Sequence, residues 1–156
     1  MAPYVTQKRD ELEEILIEII IRQQKEGYLC TVGFKDVDVS AIDNMDGLFC
    51  PDWYMGKYCI ENIDWQDPRN EIGGWNVSGV RSMSGMFAQS HFNGDISKWN
   101  VSSVGNMASM FEQSHFDGNI SQWDVSNVRI WKRCFPTRNS DRTSSPGCPG
   151  STKSAI

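Results

Sequence analysis

The sequence predicts an α/β fold: a short solenoid with an N-terminal amphipathic capping helix and a disordered C-terminal tail. Three observations predict it. A segment of 24 residues recurs along the chain. Within each recurrence the apolar spacing switches from alternation to one helical face. The first 27 residues carry a helical pattern that belongs to no repeat. Three regions follow: a cap over 1–27, repeats over 28–128, and an irregular basic tail over 129–156.

In the cap, Leu12, Ile15, Leu16, Ile19 and Ile20 fall at helical spacing, Thr6 is placed to start the helix and Gly27 to end it. A lone repeat cannot bury its own apolar face, so a helix covering the first one is the expected use; its acid-rich polar side argues against an anionic membrane. The repeats open with a degenerate copy over 37–74, Val37-Asp-Val-Ser-Ala-Ile-Asp-Asn-Met-Asp-Gly-Leu-Phe49, carrying a 14-residue insertion between Cys50 and Gly74. Two near-complete copies span 75–98 and 99–122, and a partial one spans 123–128. Leading into the second full copy, Ile96, Trp99 and Val101 read as a short strand. Ser102 reads as an N-cap, and Val104, Met107 and Phe111, with Met110 beside them, read as a helix face. Phe116 and Asp117-Gly-Asn119 read as the turn to the next copy.

The pattern Trp-Asn/Asp-Val-Ser-x-Val-x-x-Met-x-x-Met-Phe, followed by Phe-Asn/Asp-Gly-Asp/Asn-Ile-Ser, resembles the BspA-like bacterial surface-protein repeats of the leucine-rich-repeat type. The resemblance is strong over 75–128 and weak over 37–49. It implies a leucine-rich-repeat-like solenoid that binds other macromolecules, in proteins often exported as adhesins. It carries no catalytic residues.

Charge divides the chain. Residues 1–128 hold nine basic and nineteen acidic side chains, whereas 129–156 hold six basic ones and Asp141. An acidic body excludes a nucleic-acid groove. At Val128 the repeat stops: Arg129-Ile-Trp-Lys-Arg-Cys-Phe135 replaces the expected continuation. A permitted back-translation of Val128–Phe135 reads, one frame over, as Thr-Asn-Met-Glu-Glu-Met-Phe, which fits the repeat. The alternative expectation is therefore a frameshifted, truncated fragment without retained activity, its uncapped last repeat open to self-association.

Chemistry outside the repeat is sparse. His91 and His115 share one repeat position and predict a ladder rather than a metal site, because no third ligand has motif spacing to them. Cys30, Cys50, Cys59, Cys134 and Cys148 lack paired zinc spacing and read as free thiols. Asn93-Gly-Asp95 and Asp117-Gly-Asn119 read as turns, and Asn76, Asn100 and Asn119 head glycosylation-type triplets that belong to the repeat. No catalytic residue, cofactor or metal is expected. The expected function is non-enzymatic binding of a protein or cell-surface ligand, with Trp53, Tyr54 and Tyr58 of the insertion as partner-binding candidates. No nucleic acid and no membrane insertion are expected. As written the start lacks a secretory signal, which places the chain in the cytoplasm, or at the cell surface if an upstream export signal is missing.

Overall fold

The computed structural model describes residues 4–52 and 63–134. Strand β1 spans Tyr4–Val5, helix α1 spans Arg9–Glu26, and strand β2 spans Val37–Asp38. Single 3-10 turns occupy Gly27–Leu29, Phe34–Asp36 and Pro68–Asn70. Strands β1 and β2 pair in parallel, Tyr4 with Val37 and Val5 with Asp38.

Helix α1 forms where the apolar spacing predicts one, and its inner side buries Leu12, Leu16, Ile19 and Ile20 completely or nearly so. Its first turn is acidic, with Asp10 and Glu11 beside the positive end of the helix dipole. Glu11 also accepts from the Gln7 amide at 2.9 Å. Gly27, at φ 56°, ends it by turning its amide back to the Gln23 carbonyl. Thr6 is not the start signal. It is buried, and both its amide and its hydroxyl donate to the Asp38 carbonyl, at 3.2 and 2.7 Å.

The expected α/β leucine-rich-repeat-like solenoid is not seen. Among the described residues α1 is the only α-helix, and the only sheet has two strands. The segment around Val104, Met107, Met110 and Phe111 is a run of turns, not a helix. The hydrogen bonds give the reason. A helical amide bonds four residues back along its own chain. Here the amides of Met107, Ser109 and Phe111 donate to Ile130, Lys132 and Cys134 in the next copy, at 3.0, 2.7 and 2.9 Å. Met83, Gly85 and Phe87 do the same to Asn106, Ala108 and Met110. The intervening turn requires positive φ at one repeated position: Gly47, Gly85, Ser109 and Arg133, all between 53° and 62°. A helix cannot pass through such a residue. Ser102 caps nothing helical; its amide and hydroxyl bond to the side chain of Asn100, at 3.2 and 2.7 Å.

The repeats therefore stack as turns joined by isolated parallel bridges, Asn44–Ser82, Ser82–Asn106 and Asn106–Ile130. Their periodic residues form the core. Phe49, Phe87 and Phe111 stack at 5.6 Å between ring centres. Phe92 stacks on Phe116 at 6.0 Å, and Trp99 on Trp123 at 6.5 Å. The indole N–H groups of the repeat tryptophans reach more than one period back: Trp75 to the Phe34 carbonyl, Trp99 to Ile72 and Trp123 to Ile96, at 2.9 to 3.1 Å. Buried polar groups are satisfied in this way, which makes the Trp a clamp between copies as well as a core residue.

The disordered tail expected from residue 129 is not seen over its first part. Arg129–Cys134 continue the stack, and Cys134 is buried. Residues 135–156 lie outside the described residues.

Candidate functional site

The insertion and the end of α1 are held together by polar side chains. Asn70, buried, exchanges amide hydrogen bonds with Gln23 at 2.9 and 3.2 Å and also donates to the Asp64 carbonyl at 3.1 Å. Gln23 donates in turn to the Val32 carbonyl at 3.1 Å. Arg69 is fixed by the Asp67 carboxylate, its Nε 3.0 and 2.9 Å from the two oxygens, and donates to the carbonyls of Gly27, at 3.1 Å, and Cys30. The Asp67 carboxyl is held below its ordinary range mainly by this bond to Arg69. The backbone of Arg69 passes so close to Gly33 that a Cβ there would sit 2.0 Å from the Arg69 carbonyl oxygen. Only glycine fits.

This bracing presents an unusual surface. Tyr28 and Leu29, directly after Gly27, are 102 % and 86 % exposed. Single exposed apolar residues are ordinary on a protein surface, but two large consecutive ones on a braced turn make an exposed apolar spot. Beside them lies a shallow cleft lined by Ile20, Gln23, Ile63, Asp64 and Arg69. Trp53, Tyr54 and Tyr58 lie outside the described residues, in the segment that leads directly into Ile63.

The remaining polar face is a ladder. His91 and His115 are exposed and stack at 4.8 Å between ring centres. Two residues on, the Asn93 amide donates to Asp117 at 2.7 Å, and Asn93 accepts from the Asp117 amide at 3.0 Å. Among the described residues, no group of three His, Cys, Asp or Glu side chains could hold a metal ion. Cys30 and Cys50 are buried free thiols and Cys134 is buried, whereas Cys59 and Cys148 lie outside the described residues.

Asp38, Asp95 and Asp124 have lowered pKa values, each because the residue two positions on, Ser40, Ser97 or Ser126, donates to the carboxylate. These are turn interactions, repeated by neutral Asn76 with Ser78 and Asn100 with Ser102. No helix among the described residues is long and apolar enough to cross a membrane.

Sequence reasoning missed five contributing residues. Trp65 fills the first copy's aromatic place, 5.1 Å from Phe49 and 4.9 Å from Phe92, though an insertion hides its repeat position. Arg69 acts through the distant backbone carbonyls of Gly27 and Cys30, and Asn70 through the side chain of Gln23, contacts for which no motif exists. Tyr28 and Leu29 gave a signal that was readable, an apolar pair straight after a helix-ending glycine.

The sequence pattern of the family described as "Mycoplasma protein of unknown function, DUF285" matches residues 57–142, over half of the chain. No curated protein and no solved structure matches.

Proposed function

Since the chain belongs to that Mycoplasma family of unknown function, we propose that it is a non-enzymatic interaction module that binds a protein or cell-surface ligand. The observation that carries the reading is the exposed Tyr28–Leu29 pair, braced by Arg69 at the rim of the cleft. Aromatic anchors on a preorganised backbone lose little conformational entropy on binding. Trp53, Tyr54 and Tyr58 join the reading on sequence grounds alone, as the aromatic residues of the insertion. Likeness to BspA-like surface repeats supports a surface role.

The test uses the full chain immobilised against host-cell membrane extracts, beside Tyr28→Ala and Trp53→Ala variants. Saturable capture that falls at least about tenfold in either variant, the loss of one anchor of about 1.4 kcal/mol or more, supports the reading. Capture that neither variant changes overturns it.

A further inference from the structure

The two ends of the stack carry opposite charge and complementary hydrogen-bonding groups. In each copy, alternate amides donate to carbonyls of the next one: Met45 to Ser82, Met83 to Asn106, Met107 to Ile130. At the last copy the equivalent amides, Trp131 and Arg133, have no acceptor among the described residues. The side chains around them, Arg129, Ile130, Lys132 and Arg133, are exposed. Among the described residues the only carboxylate paired with them is Glu112, 3.4 Å from Arg133. This end is basic, partly apolar and rich in unused donors.

At the first copy the equivalent carbonyls, Asn44 and Asp46, accept from the Arg9 guanidinium at 3.3 and 2.8 Å. The backbone is thus closed at that end, and what it shows outward is α1. With Leu12, Leu16 and Ile19 facing inward, the opposite side of the helix carries Asp10, Glu14, Ile17, Glu18, Ile21 and Lys25. Asp10, Glu14 and Glu18 are exposed and take part in no ion pair among the described residues; Ile21 is 51 % exposed. This end is acidic, partly apolar and rich in unused acceptors.

We propose that the chain associates head to tail with further copies of itself, the outer face of α1 in one copy meeting Arg129–Arg133 of the next. The carboxylates of Asp10, Glu14 and Glu18 accept from the Trp131 and Arg133 amides and pair with Arg129 and Lys132, while Ile21 covers Ile130. Such a contact is heterologous and leaves each growing chain with one free end of each kind, so the products are open chains rather than closed dimers. Because the charges lie at the surface, salt weakens the contact. The surface is separate from the Tyr28 rim, so the two readings stand or fall independently.

Sedimentation of the full chain over a concentration series at low and high salt provides the test. The expected result is a mass that rises with concentration at low salt and returns to the monomer at high salt. A Glu14→Lys, Glu18→Lys variant has two basic ends and a Lys132→Glu, Arg133→Glu variant two acidic ends, so each alone is expected to be monomeric. Mixed, they are expected to associate again, which loss of folding in either could not produce. A wild-type chain that stays monomeric throughout, or a mixture that stays monomeric, overturns the proposal.

Discussion

At the N-terminal end of the stack, the carbonyls of Asn44 and Asp46 are taken by Arg9, β1 adds to β2, and α1 buries four apolar side chains. At the C-terminal end, Arg129–Cys134 keep the register of the ladder while Ile130 is 46 % exposed and the Trp131 and Arg133 amides lack acceptors among the described residues. The contrast teaches that stacking and closure are separate problems. A repeat continues a ladder with its backbone alone, whereas closing one takes side chains from outside the repeat: a guanidinium that imitates two amides, and a helix that supplies apolar cover.

The largest test of this contrast is truncation of one apolar residue at each end. Leu16→Ala, at a fully buried site, is expected to destabilise the fold by about 2–5 kcal/mol. Ile130→Ala, at a half-exposed site, is expected to stay within about 1 kcal/mol of the parent chain. Urea denaturation of both variants measures the gap, and equal shifts would mean that the C-terminal end is as well packed as the cap.

The left-handed position gives a smaller effect with a direction. Gly47 and Gly85 hold it in the first two copies, Ser109 and Arg133 in the later two. Ser109→Gly relieves a strained residue and is expected to stabilise by about 0.5–1 kcal/mol, while Gly85→Ala is expected to destabilise by about 1 kcal/mol or more. A pair of thermal melts that moved in the same direction would contradict the turn geometry.

Acid tests the ends most gently. Asp38 in the first copy and Asp124 in the last have lowered folded pKa values, so their contribution to stability is fully present above the unfolded value of about 3.9 and is lost as pH falls through the folded values below it. Asn76 and Asn100 hold the same position in the middle copies and do not titrate. Hydrogen exchange near pH 3 is therefore expected to show the Ser40 and Ser126 amides losing protection relative to pH 6, beyond any change at Ser78 and Ser102. Uniform change across all four would disprove the assignment.

Much of the packing was legible. Every Trp, Val, Met and Phe that the repeat marks between Trp75 and Phe111 is buried, because apolar residues at a fixed period must meet their counterparts in neighbouring copies. The secondary structure was not. Val104, Met107 and Phe111 have helical spacing, yet three-residue spacing is equally satisfied by successive turns whose amides bond outward to the next copy. The candidate site was legible only in part: the Tyr28–Leu29 pair stands in the sequence, but Arg69 and Asn70 reach it from some 40 positions away, Arg69 through the Gly27 carbonyl and Asn70 through the Gln23 side chain, contacts that no local pattern encodes.

The sequence by itself determined the 24-residue period, the identity of the core and the helix before the repeats, since each follows from local spacing and apolar character. Only the tertiary structure decided where the amides go, and with them whether each copy is a helix or a run of turns. It also decided that Arg9 closes one end of the ladder. These outcomes depend on which acceptor a backbone donor meets across copies, and that competition is settled by stacking rather than by any single copy's residues.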